Sequence, residues 1–355
     1  MKLLKKAPMQ IFLLFSISAM LLWLSRNSTA FADWHAKNIY PIWLNTIGRF
    51  FSLFPFSVVE IGLYSVVLLF IILIIKCIIM VLKKKNIRSL LSFIYTFLRI
   101  ASILFFLFVI NCGIHYNRTP FSQVSQLEVG EYTLEQLKAL CVSLTEEVNY
   151  WSAQIERDDK GVAIIDCDIS VKSIEAMSRL GDKYEVLSGF YAKPKSVWNS
   201  SILSYQHITG IYSPFTIEAN YNLDMTAYNI PFTVSHELSH LKGFMREDEA
   251  NYIAYLACIE SDEAIFKYSG NLLAWIYSTN ELCAADHEAF TAIRAKLDQA
   301  VDADFFANTA FWDKYEGKIS ELSETVNDLY LKSNNQAAGI KSYNHMVSLL
   351  IANYK

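Results

Sequence analysis

The stretch from Phe56 to Leu82 constrains this chain most: it is apolar almost throughout, with Glu60 and Lys76 as its only charges. About 20 such residues cross a bilayer. In hydrocarbon every backbone N–H and C=O must be satisfied within the segment, so this run reads as a spanning helix. Two more runs have the same character. Met9 to Leu24 follows Lys2, Lys5 and Lys6, and Leu90 to Ile114 carries Arg99 as its one charge. Glu60, Lys76 and Arg99 read as snorkelling or helix-facing charges rather than functional groups. Three transmembrane helices are expected, at about 9–26, 56–82 and 90–114, within an anchor of residues 1–115.

The basic residues orient that anchor. Lys83, Lys84, Lys85 and Arg88 form the most basic short loop, and together with the lysine-rich N-terminus they belong on the cytoplasmic side. Residues from about 116 onward are then extracytoplasmic, on the outer face of a plasma membrane that the chain crosses more than once. Ala30-Phe31-Ala32 offers a cleavage pattern, so a signal peptide is the alternative to a retained first span. Between the first two spans, residues 33–54 carry Trp34, Tyr40, Trp43, Phe50, Phe51 and Phe54. They read as an interfacial segment on the bilayer or as a loop with belt aromatics.

Charge separates the two halves of the chain. Residues 1–118 hold 13 Lys+Arg and 2 Asp+Glu of the chain's 31 and 35, which leaves 18 against 33, a net of −15, in the remainder. Nothing there would neutralise phosphates, so nucleic acid is excluded as a partner. The six cysteines show no metal-ligand spacing. Cys77 and Cys112 fall in apolar spans, and Cys141, Cys167, Cys258 and Cys283 are scattered, as buried thiols or as one or two disulfides.

The chemistry concentrates in Ile230 to Asn251, IPFTVSHELSHLKGFMREDEAN. His236-Glu237-Leu238-Ser239-His240 spells H-E-x-x-H. On a helix, positions i and i+4 share a face, so both imidazoles can point at one cation, with Glu237 beside them as general base. Val234, Leu238 and Leu241 keep helical spacing on another face. Asn229 is expected to cap this helix and Gly243 to stop it. A hydrolytic zinc site needs a third protein ligand and one open position. Glu247 and Glu249 are the candidates, and two residues turn a helix by about 200°, so only one can face the metal. Glu247 is favoured because it shares a face with Ala250, Asn251, Ala254 and Cys258. Glu249 is the runner-up, expected otherwise to face solvent or to support the ligands from behind. Asn251 is positioned to accept the second ring N–H of a ligand histidine.

Glu247-x-x-Ala250-Asn251 resembles the E-x-x-A-[DN] second helix of gluzincin metallopeptidases, which supplies their glutamate ligand. The spacing departs from that pattern, since only six residues separate His240 from Glu247 and the turn at Gly243 to Arg246 must be tight. The metzincin pattern would require a ligand at position 246, where this chain has arginine. The close spacing and three spans together are similar to a bacterial membrane family catalogued only as a domain of unknown function (number 3810). Pro55-Phe56-Ser57, Pro214-Phe215-Thr216-Ile217-Glu218-Ala219-Asn220 and Gly339-Ile340-Lys341-Ser342-Tyr343 carry that likeness. The resemblance implies retention of the first span and a gluzincin-like domain, and it lends no substrate.

The remainder reads as a mostly helical α+β domain, residues 116–355. Helices are expected at Thr133 to Ile155, Val171 to Leu187, Asn271 to Cys283, Ala284 to Leu297, Asp302 to Leu331 and Tyr343 to Tyr354. Ile208 to Asn222 alternates as one or two strands, and Val197 to Asn222 is where a strand for extended substrate is sought. Glu218 there reads as a surface carboxylate. His287, Tyr343, His345, Tyr252 and Tyr255 are candidate donors to an oxyanion, none singled out by spacing. The expectation is three N-terminal transmembrane helices and a zincin-like, gluzincin-type extracytoplasmic domain: a Zn²⁺ metallopeptidase acting on a peptide or protein. The alternative is a non-proteolytic zinc-binding sensor, scaffold or cell-envelope factor.

Overall fold

A computed structural model describes residues 2–82 and 87–354. The chain divides into two compact units, Met1–Arg118 with Ser213–Glu218, and Thr119–Tyr212 with Ala219–Lys355.

Among the described residues of the first unit, three helices are long and apolar enough to cross a membrane, over Pro8–Asn27, Val58–Met80 and Phe93–Asn111. They lie within helices Lys2–Asn27, Val58–Leu82 and Ile87–Asn111. The second starts later than the apolar run does, because Ser57 Oγ accepts the amide of Glu60 at 3.2 Å and turns the chain into the helix. The third ends at Asn111, followed by a 3₁₀ turn at Gly113–Asn117. Glu60 does not snorkel: it is buried, and the Tyr64 hydroxyl donates to its carboxylate at 2.7 Å. Lys83, Lys84 and Lys85 of the expected cytoplasmic loop lie outside the described residues.

The aromatic segment 33–54 is helical, as Thr29–Asn38, Tyr40–Trp43, a π-turn at Leu44–Gly48 and Arg49–Ser52. Ser28 caps its start by accepting the amide of Phe31. Val109, Ile114 and Ala32 form a small core with Leu21, Leu22 and Phe108. Glu218 is not a surface carboxylate. It is buried, and its two oxygens accept the amides of Val58 and Val59 at 3.2 and 2.9 Å, capping the second apolar helix. A negative charge at that end meets the positive pole of the helix dipole.

The second unit is mostly helical with one small sheet. Helix Leu134–Ser152 opens with a capping box between Thr133 and Gln136. It packs against Ala264–Ala285, whose Trp275 donates to Thr145 Oγ1 at 2.9 Å, while Ile169–Lys183, capped by Asp168, packs against Asn229–Leu241 and Glu247–Glu260. The expected break inside 271–297 falls at Asp286, which caps Ala289. The long helix expected over 302–331 is two, Ala300–Trp312 and Lys318–Ser333, interrupted around Gly317. The final helix is Met346–Tyr354, preceded by a 3₁₀ segment Gly339–His345. Strands β1 (Lys195–Ser196), β2 (Gly210–Ser213) and β3 (Glu218–Tyr221) form a sheet in the order β1-β3-β2. β1 runs parallel to β3, with Lys195 opposite Asn220 and Ser196 opposite Tyr221. β2 is therefore an edge strand.

Candidate metal centre

The H-E-x-x-H sequence lies on helix Asn229–Leu241, every residue of which is buried. Asn229 does not cap it, because its amide is drawn to Thr226 Oγ1 and Asn308 Oδ1 at 2.7 and 2.8 Å. Among the free amides of the first turn, Phe232 N–H is satisfied instead by Ser269 Oγ at 3.1 Å. The other end closes as the glycine-stop reading requires. Gly243, at φ +79°, donates to the His240 carbonyl at 2.8 Å, and Phe244 N–H donates to the Ser239 carbonyl at 3.1 Å. These two bonds form a Schellman cap, which needs a left-handed residue and so selects glycine.

That cap does more than end the helix. It brings the Phe244 carbonyl back over the last turn, where it accepts from His240 Nδ1 at 2.8 Å. A carbonyl can only accept, so a proton sits on Nδ1, and Nε2 is the nitrogen turned toward Glu247, open to a metal once its own proton is displaced. His236 is fixed the same way by a different group. Its Nδ1 lies 2.8 Å from Asn251 Oδ1, while Asn251 Nδ2 donates to the Tyr343 carbonyl at 3.4 Å. That second bond sets which way the amide faces, and it leaves Nε2 of His236 as the nitrogen turned toward Glu247.

Glu247 follows the tight turn as the first residue of helix Glu247–Glu260, its own N–H held by Gln336 Oε1 at 3.2 Å. This helix packs closely: Ala250, Ala254 and Cys258 are wholly buried, and a Cβ on Gly270 would lie 2.6 Å from that of Cys258. Glu247 Oε2 lies 3.1 Å from His236 Nε2 and 3.6 Å from His240 Nε2. The ligand-type atoms of His236, His240 and Glu247 all fall within 4.8 Å of one another, so the cluster can hold a metal ion. Glu249 points elsewhere. It is buried rather than solvent-facing, and it accepts the amide of Phe121 at 2.9 Å.

The electrostatics fit a cation. Burial alone would lower His240, but the Glu247 carboxylate overcomes it and raises the imidazole to about 9. Burial alone would raise Glu247, and the neighbouring histidine charges pull it well below the usual carboxylate range. A proton shared between these groups occupies the place that a divalent ion would take. Burial raises Glu237 to about 7, against the opposing pull of His236 and His240. Oε2 of Glu237 is buried without a hydrogen-bond partner, and two imidazoles with a carboxylate are a donor set that suits a transition metal or zinc.

Two neighbours complete the surroundings. Tyr343 stacks on His236 with ring centroids 6.4 Å apart and planes 18° from parallel. β2 runs beside the helix, with the Tyr212 ring 6.5 Å from that of His240. A Cβ on Gly210 would meet Glu237 Oε1 at 2.6 Å, so the backbone touches the carboxylate only because residue 210 is glycine. Tyr212, Gly210 and Gln336 escaped the sequence reading, which had no periodic signal to find them by. Of the candidate donors, His287 and His345 are exposed, and Tyr252 packs against Phe121. No curated protein and no solved structure matches the chain. A family model matches residues 35–351, and on that match the chain belongs to the family described as a protein of unknown function, DUF3810.

Proposed function

We propose that this chain is a membrane-anchored zinc metallopeptidase, its second unit a zincin-like domain of the gluzincin type on the outer side of a bacterial plasma membrane. The observation that carries the reading is the convergence of His236, His240 and Glu247 beside a buried Glu237 whose Oε2 has no partner. Zinc held by the three ligands would supply a Lewis acid that polarises a peptide carbonyl and acidifies a water. Glu237, raised toward neutrality, takes a proton at Oε2 and returns it to the leaving amine. Asn251 and the Phe244 carbonyl hold the imidazoles in one tautomer and one orientation. Edge strand β2 offers backbone groups for an extended peptide, aligned along the histidine helix by the close approach of Gly210 to Glu237.

The alternative is a zinc-clamped sensor or scaffold, and it has no use for a base whose second oxygen is unengaged. The discriminating experiment is hydrolysis of a fluorogenic peptide library by the full chain, beside its Glu237→Gln variant at equal zinc content. Turnover by the wild type that drops about a hundredfold or more in the variant supports the peptidase. A zinc-loaded wild type as inactive as Glu237→Gln across the library supports the scaffold.

A further inference from the structure

Helix Lys318–Ser333 is held to the second unit mainly through the segment that follows it. Only Ser320 and Leu331 of its 16 residues are buried, and it packs chiefly on the 3₁₀ segment Gly339–His345. The two pieces are pinned together. Asp328 accepts the amide of Ile340 at 3.2 Å and pairs with Lys332 at 2.6 Å, while Asn327 is hydrogen-bonded to the Tyr343 hydroxyl. Gly339, at φ +58°, passes so close to the helix that a Cβ there would overlap Asp328 Oδ1.

This hairpin lies on the metal centre. Gln336 Oε1 accepts the Glu247 amide, the Tyr343 carbonyl accepts from Asn251 Nδ2, and the Tyr343 ring stacks on His236. The side chains of His236, His240 and Glu247 are 11, 9 and 8% exposed. What ties the hairpin to the site is polar: the two hydrogen bonds just named, with Glu324 4.0 Å from His207 at its edge. Its two ends are fixed differently, by apolar and aromatic packing. Ahead of Gly317 the Tyr315 ring lies 4.9 Å from that of Tyr205, and beyond His345 the side chains of Met346, Val347 and Leu350 are buried. A segment with polar ties between two packed anchors opens at a lower free energy than the core around it.

We propose that residues 318–345 are a flap, shut over the metal centre in this structure, which lifts as a unit between those anchors to let an extended peptide reach the site. The role rests on the metallopeptidase reading above, since a peptide carbonyl has to reach ligands that are almost wholly buried while the flap is shut.

Hydrogen exchange, read by mass spectrometry on the full chain in detergent, tests the motion. Amides of residues 318–345 exchange as one block, about tenfold or more faster than those of helix Ala264–Ala285. Exchange no faster than in that helix overturns the flap. Asp328→Ala, which unpins the 3₁₀ segment from the helix, tests the gate through the rate at which diethyl pyrocarbonate modifies the site histidines in the metal-free chain. His236 and His240 are modified about fivefold or more faster in the variant, and the exposed His287 at an unchanged rate. Wild-type rates at His236 and His240 in the variant overturn the gating role. Neither readout needs metal. Zinc uptake measured alongside reports the site separately, so a chain whose flap opens and gates the histidines yet takes up no zinc refutes the metallopeptidase alone.

Discussion

Asn251 Oδ1 lies 2.8 Å from His236 Nδ1, one turn along the helix from the glutamate that faces the same histidine's Nε2 at 3.1 Å. A single helix thus addresses both nitrogens of one imidazole. Replacing Asn251 with Leu removes the acceptor that fixes the tautomer, and metal affinity is expected to fall about 10–100-fold. Asn251→Asp keeps the acceptor and stays within a few-fold of wild type. Competition with a chromophoric chelator measures both.

Gly210 sets the distance between β2 and the base. In Gly210→Ala the new Cβ meets Glu237 Oε1 at 2.6 Å and Thr233 Cγ2 at 2.8 Å, so either the strand or the carboxylate must move. The expected cost is about 1–3 kcal/mol in thermal stability. Metal content is unchanged, while peptide turnover falls by about a hundredfold. Paired metal analysis and kinetics separate this from a ligand defect.

Gly243 links the helix stop to the metal site. At φ +79° an alanine costs about 1–2 kcal/mol. Because the Phe244 carbonyl that holds His240 is carried by that turn, Gly243→Ala should also weaken metal binding. A melting curve with and without added metal shows both effects, and the stabilisation by metal should be smaller than in wild type.

Acidity acts through His240. Its imidazole, with burial opposing and Glu247 prevailing, is raised to about 9, so at neutral pH the metal-free site holds a proton that a metal must displace. Affinity should therefore rise about tenfold per pH unit from 7 toward 9 and level off above it. In the metal-free protein the sign is opposite. The raised His240 imidazole contributes stability that is fully present below the ordinary histidine value near 6.5, so long as Glu247 stays ionised, and is lost as pH rises through about 9. Calorimetric titration in buffers of different ionisation enthalpy counts the released proton.

Local periodicity made part of this legible. The i, i+4 histidines, the glycine stop and the face shared by Glu247 and Asn251 are relations within one or two turns, and the apolar runs announce helices long enough to cross a membrane. Long-range partners hid the rest. Glu249 was expected to face solvent or support the ligands, and it is instead buried under the amide of Phe121, 128 residues away. Glu218 read as a surface group, and it caps a helix 160 residues earlier. Asn229 is diverted from its cap by Asn308, 79 residues later. Each misreading is a polar side chain whose partner arrives only when the chain folds back.

Metal stoichiometry reports directly on which side chains are the ligands. The full chain in detergent, with Glu237→Gln, His240→Ala, Glu247→Ala and Glu249→Gln, would be dialysed against zinc and analysed by mass spectrometry beside circular dichroism. About one zinc per folded chain is expected in wild type, Glu237→Gln and Glu249→Gln, and its loss in His240→Ala and Glu247→Ala. A folded wild type that binds no zinc, or a Glu247→Ala variant that keeps it while Glu249→Gln loses it, would contradict the site.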